Sequence, residues 1–313
     1  MKRTLCAAIC AAVFVAACGS KKPGSAEEYY AEANSYFRDG AYPLAIENYR
    51  ELLDQHPFSE LAEDAEFKIA HAHQQNGACP EAIAAFSDFQ RRHPTSPHLP
   101  LVGFLIGQCH EDQMQKPDRD QSASQSAHAY YQAVINQYPE SPYADLARER
   151  LHQCRENLAE HELNIASYYS TRGNEKAAEI RLIDLIKRYN DTDHAAEALF
   201  RLGEIYRDRD EPDKAALAYA ALLYHHEDHN LAGESEESLE EVLDDPLDRP
   251  EGDPVAALLA RSGRFRDLEA VAAEPVEPTN VGARPPSAVP PPRGFNQPNF
   301  DPIESGRPGR RYD

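Results

Sequence analysis

"GAYPLAIENYRELLDQHP" (Gly40–Pro57) and "GACPEAIAAFSDFQRRHP" (Gly77–Pro94) align without a gap at an offset of 37 residues. Within them Ala45 meets Ala82, Tyr49 meets Phe86, Leu52 meets Phe89 and Pro57 meets Pro94. The same order of small, bulky, apolar and stop residues returns as Ala127, Tyr131, Val134 and Pro139. It returns again as Ala178, Leu182, Leu185 and Asn190, with Asn in place of the stop proline. A fifth copy reads Ala215, Tyr219 and Leu222, preceded by "LFRLGEIY" (Leu199–Tyr206). Offsets of four and seven place these residues on one helical face. Proline closes that helix because it cannot continue the hydrogen-bond ladder. No convincing strand alternation lies between residues 25 and 227.

This is the tetratricopeptide pattern: a helix A with a small residue in its eighth position, a helix B with a small Ala, then proline. The expected fold is all-α, a right-handed superhelix of about five such helix pairs. The two small residues let paired helices approach, and the aromatic four residues later fills the space beside them. Successive copies step by 37, 45, 51 and 37 residues. Extra residues in the third copy fall in the polar stretch "HEDQMQKPDRDQSAS" (His110–Ser124). Those of the fourth fall in "SPYADLARERLHQCRENLAEHELNIASYYSTRG" (Ser141–Gly173), which has no breaker after Pro142 for about thirty residues. It reads as one long helix, the spine of the second half.

Lys2 and Arg3 precede thirteen mostly apolar residues, Leu5–Ala17. Thirteen helical residues rise about 20 Å, short of a bilayer core of roughly 30 Å, so the stretch reads as a secretion signal. Its end, Val15-Ala16-Ala17-Cys18, resembles a bacterial lipobox. That resemblance implies a signal peptide over 1–17, cleavage before Cys18, and acyl chains on Cys18 that hold the protein to the outer membrane, periplasmic face. Residues 18–24 would be the lipidated tether. Formal charge is −21, and loss of Lys2 and Arg3 takes it to −23. Such a surface argues against nucleic acid. Of six cysteines, Cys79, Cys109 and Cys154 stay as thiols of the mature chain, so at most one internal disulfide forms. Small buried apolar residues are the plainer reading of all three.

An acidic lipoprotein with five repeats, a "DRDQ" loop (Asp118–Gln121) and "NLAEHELNIASYYSTRG" (Asn157–Gly173) running into a helix with Ala178 and Arg181 resembles the BamD family. Members are lipoproteins of the outer-membrane β-barrel assembly machine. The match covers about residues 18–226. It departs at Pro94-Thr95-Ser96-Pro97, at the tyrosine-free helix "LPLVGFLIGQCHED" (Leu99–Asp112), and in a continuation of more than 80 residues. The resemblance implies a scaffold in two halves. Repeats 1–3 (25–140) would receive unfolded outer-membrane protein clients, with Tyr29, Tyr30, Tyr36 and Phe37 as candidate contacts. Repeats 4–5 (141–227) would dock a BamA-like barrel protein through its periplasmic domains. Arg172, Arg181, Arg119 and Asp120 are the candidate partner residues, and other assembly lipoproteins are expected partners. A periplasmic tetratricopeptide lipoprotein adaptor acting in envelope or division processes is the alternative.

No catalytic cluster, cofactor motif or metal site emerges. "HELNI" (His161–Ile165) begins like a zinc-protease motif, but Ile165 stands where the second His is required. His225, His226 and His229 form a surface cluster beside Glu227 and Asp228. Residues 228–313 read as an acidic, Pro-rich disordered tail, since thirteen of 24 prolines lie from Pro246 onward. One island, "PVAALLARSGRFRDLEAVAAE" (Pro254–Glu274), has the pattern of a short helix.

Overall fold

The computed structural model describes residues 24–243, 249, 250 and 252–262. Residues 1–23, with the expected leader and Cys18, and residues 263–313 lie outside the described residues. Twelve helices, and no strand, occur among the described residues. Ten of them form five antiparallel pairs: α1 (Ala26–Arg38) with α2 (Tyr42–Gln55), α3 (Ala62–Gln75) with α4 (Cys79–Arg92), α5 (Leu99–Glu111) with α6 (Ser122–Gln137), α7 (Pro142–Thr171) with α8 (Glu175–Tyr189), and α9 (Asp193–Asp208) with α10 (Pro212–His225). Each helix packs chiefly on its sequence neighbours, the arrangement of a solenoid.

Local chemistry sets the boundaries. Ser25 caps α1 in a capping box with Glu28, its hydroxyl accepting from the Glu28 N–H at 3.3 Å while the Glu28 carboxylate accepts from the Ser25 N–H at 3.1 Å. Gly40, Gly77 and Gly173 each stand two residues past a helix A with φ of 69° to 75°. That left-handed turn favours glycine, and in the fifth pair Asp210 adopts it at φ 58°. Helices α2, α4 and α6 stop two residues before Pro57, Pro94 and Pro139. The intervening His56, His93 and Tyr138 leave the helical region, as a residue before proline prefers.

The small-residue register packs as the spacing predicts. Ala33, Ala45, Ala70, Ala82, Ala127, Ala178 and Ala215 are all fully buried. A Cβ placed on Gly107 would collide with the ring of Tyr131, and one on Gly203 with the ring of Tyr219. These aromatics lie against the helix backbone itself, and each sends its hydroxyl to a carboxylate on helix A: Tyr131 to Glu111, and Tyr219 to Glu204 at 2.5 Å.

One correction follows at the C-terminal end. Residues 232–242, expected within a disordered tail, form α11 (Ala232–Val242), packed on α10. Ser235, Ser238 and Leu239 are its buried face. A capping helix needs only one narrow stripe of small or apolar residues, and its polar outer face made the segment look unfoldable. The island expected at 254–274 is helical over α12 (Pro254–Arg261), and residues 263–274 lie outside the described residues. Asp253 caps α12, and Val255, Leu258 and Leu259 bury against the last repeat. No helix among the described residues is long and apolar enough to cross a membrane.

The interior divides into three apolar clusters along the array. One belongs to the first pair and Ala65, a second to α3–α6, and a third to α8–α12. Helix α7 is shared: Ala147 and Cys154 enter the second cluster, while Leu158, Ala159, Leu163 and Ala166 enter the third.

Candidate partner-binding surfaces

The two stretches that carry the family resemblance form one structural unit. Gln121, itself buried, donates through Nε2 to the carbonyls of Lys116 at 2.9 Å and Arg119 at 3.2 Å. Its Oε1 accepts from Ser124 Oγ at 2.8 Å and from Asn157 Nδ2 of the spine at 2.7 Å. One turn further along α7, His161 Nδ1 donates to the Pro117 carbonyl at 2.5 Å. The His of "HELNI" is therefore a clamp on the 112–121 loop. Arg119 and Asp120 ride on the exposed side of that loop. Arg119 lies 3.8 Å from Asp118, and Asp120 accepts from the Ser122 N–H at 3.0 Å. The Ser122 hydroxyl and N–H hold the Asp120 carboxyl below its ordinary range.

Arg172 and Arg181 do not share a site. Arg172, at the C-terminal cap of α7, lays its guanidinium 4.3 Å from the Tyr168 ring centre, and that ring is half exposed. Tyr168 meets Tyr169 edge-on at 5.7 Å. Arg181 instead reaches Glu162 at 3.3 Å, roughly 15 Å of helix rise before Arg172. Glu162 is mostly buried and also accepts from Arg188 at 2.8 Å, so two guanidiniums share one carboxylate. The two guanidiniums and their shared carboxylate make a locally basic spot on an acidic protein. Arg155 extends this basic strip, holding Asp191 at 2.9 and 3.0 Å and the Arg188 carbonyl at 2.8 Å.

On the first repeat Tyr29, Tyr30, Tyr36 and Phe37 are all partly buried against its core. Tyr30 packs on Tyr49 at 5.8 Å and Tyr29 on His56 at 6.3 Å. Phe37 sits between Tyr42 at 5.4 Å and His71 at 5.1 Å, with the Lys68 ammonium 5.2 Å from its centroid. Tyr36 donates its hydroxyl to Glu32 at 3.3 Å. Sequence reasoning missed Phe58, fully exposed in the turn after α2, and exposed Tyr224 and Leu44. The only signal for Phe58 was its place after the stop proline.

Among the described residues no group of three or more His, Cys, Asp or Glu side chains has metal-holding geometry. His225 pairs with Asp253 at 3.2 Å, and His229 Nδ1 accepts the Leu231 N–H at 3.2 Å.

A solenoid of tetratricopeptide-type helix pairs with exposed cations and aromatics along its length defines a helical-repeat scaffold. A family model described as "Outer membrane lipoprotein" (YfiO) matches residues 22–222, and the chain belongs to that family. Several similar curated proteins are named outer membrane protein assembly factor BamD. That of Caulobacter vibrioides is 30% identical over 208 residues, covering 64% of this chain and 68% of its own. Those of Vibrio cholerae (29% over 182 residues; 55% and 76%) and Neisseria gonorrhoeae (30% over 202 residues; 61% and 76%) are comparable.

Proposed function

We propose that this chain is a non-enzymatic scaffold subunit of outer-membrane protein assembly, held at the periplasmic face of the outer membrane by acyl chains on Cys18. Repeats 1–3 (25–140) receive extended, aromatic-ended segments of unfolded barrel proteins, and repeats 4–5 (141–227) dock the periplasmic domains of a BamA-like barrel. The observation that carries the reading is the clamp between the 112–121 loop and α7. It lies inside the span matched by the family model, and it links the two halves through part-buried polar contacts. Such a clamp holds Arg119 and Asp120 in fixed register with the basic strip of Arg181, Arg188 and Arg155. The strip suits an acidic patch on a partner.

The test is affinity recovery of the full-length lipidated protein from detergent-solubilised outer membranes. Recovery of a large barrel protein with periplasmic repeats is expected, and Arg181→Ala lowers it about tenfold or more without shifting Tm. Recovery of cell-wall factors in its place would support the envelope adaptor reading instead. Undiminished recovery with Arg181→Ala would remove that residue from the interface.

A further inference from the structure

The same turn follows helix B in all five pairs. In each, the fourth residue's N–H donates to the first residue's carbonyl: Ser59 to His56 at 3.0 Å, Ser96 to His93 at 3.1 Å, Ser141 to Tyr138 at 2.9 Å, Thr192 to Tyr189 at 3.0 Å, and His229 to His226 at 3.0 Å. The third residue stands at the tip, and such a turn requires no aromatic there. Repeats 2–5 place Thr95, Glu140, Asp191 and Asp228 at the tip, all polar and all exposed. Repeat 1 places Phe58 there, 100% exposed. Its presentation is firm rather than loose. Pro57 sets the first corner of the turn, and beyond the tip the Ser59 hydroxyl accepts from the Leu61 N–H at 3.2 Å.

This turn is also tied to the start of the described chain. His56 Nε2 donates to the Gly24 carbonyl at 2.9 Å, and the Tyr29 ring lies 6.3 Å from that of His56. Gly24 is six residues from Cys18, a span of at most about 20 Å when fully extended.

We propose that Phe58 is a second, non-covalent hold on the membrane, its ring seated among the lipid headgroups at the periplasmic face of the outer membrane. The inference rests on the acylation of Cys18 argued above. One aromatic ring partitions too weakly to anchor a protein alone, but a short tether keeps its local concentration at the bilayer high. Aromatic rings favour that boundary, where apolar and polar surroundings meet. The neighbouring charges select the lipid. Asp54 and Glu60 are exposed on either side of the turn, so an anionic surface repels it, whereas the ammonium groups of phosphatidylethanolamine suit both carboxylates. A flexible tether limits distance and leaves orientation free. A second contact two residues from His56 fixes which end of the first repeat faces the bilayer.

The chain contains no tryptophan, so Phe58→Trp installs a single fluorescent reporter. Leu44→Trp is the comparison: Leu44 is 46% exposed, in the first turn of the same helix. It lies about 20 Å from Phe58 by helix rise. Each full-length acylated variant is reconstituted into vesicles of phosphatidylethanolamine and brominated phosphatidylcholine. Flotation and the mass of the N-terminal peptide are read on the same samples. The expected result is that Phe58→Trp emission shifts to the blue and is quenched by bromine, while Leu44→Trp keeps its water-exposed emission. If the protein is acylated and floats, unshifted emission from Phe58→Trp, or equal quenching at both positions, overturns the proposal and leaves the lipid anchor standing. If Cys18 carries no acyl chain and the protein does not float, the anchor reading itself fails and the second hold falls with it.

Discussion

His71 shows how a repeat position acquires a property that its spacing does not announce. It lies on α3 with its ring between Phe37 at 5.1 Å and Phe67 at 5.7 Å, and its exposure is only 8%. The Gln75 amide approaches Nε2 at 3.3 Å, while Nδ1 is buried with no partner. Burial, with Lys68 nearby, lowers its pKa to about 4. The folded value is below the unfolded one, so the stability linked to this group is complete above about pH 6.5. It is lost as pH falls from there toward 4, by up to roughly 3 kcal/mol. We expect His71→Leu to equal or exceed the parent in Tm at pH 7.5. Its advantage should widen on acidification, because the variant has no proton to gain on unfolding. Parallel Tm profiles between pH 7.5 and 4.5 would sink this account. The alanine, glycine and aromatic register was legible because offsets of four and seven residues are local. The burial of His71 and the pairing of Arg181 with Glu162 were not, since both depend on helices brought together by the fold.

Helix α11 marks where composition misled. The acidic run that begins in α11 hides Ser235, Ser238 and Leu239, which fit the last repeat because serine is small enough for close approach. Helix α12 contacts α10 and, more lightly, α8, so it covers the terminal pairs from the helix B side. Its anchors are few: the Asp253 cap, the four buried residues Pro254, Val255, Leu258 and Leu259, the His225–Asp253 pair at 3.2 Å, and an ion pair from Arg261 to Asp213 at 3.4 Å between exposed groups. An exposed pair of that kind contributes little, so docking depends on the apolar residues. Leu258 is 1% exposed, and Leu258→Asp places a charge where nothing can solvate it. The expected result is faster amide exchange throughout α12 and along its contact face on α10, with α1–α6 unchanged. Unaltered exchange in α12 would show that its docking does not depend on Leu258. Leu258, Leu259 and the proline start of α12 were legible as a helix; its dock on the repeats was not, because the partner surface lies on helices distant in sequence.

The whole array has three apolar clusters, and a chain built only of nearest-neighbour contacts would tend to open piecemeal. Helix α7 opposes that. Its thirty residues give Cys154 to one cluster and Leu158 to the next within a single turn, so neither can open independently while the helix stays continuous. Polar contacts reinforce it on both sides, with Asn157 holding Gln121 and Glu156 accepting from His194 at 2.8 Å. Glu160 stands just past the junction. Proline there deletes the hydrogen bond to the Glu156 carbonyl and clashes with it, costing about 3 kcal/mol or more, while Glu160→Ala keeps the helix. In the parent and in Glu160→Ala, hydrogen exchange in rising urea should release α3–α6 and α8–α10 together. In Glu160→Pro the two groups should separate into two transitions, and the clamp residues 116–121 should open with the weaker. A single shared transition in the proline variant would mean that inter-repeat packing alone carries the cooperativity. The long uninterrupted segment from Pro142 was legible as a helix because it contains no breaker. Its role as the joint between two cores was not, since that depends on which face each neighbouring repeat presents to it.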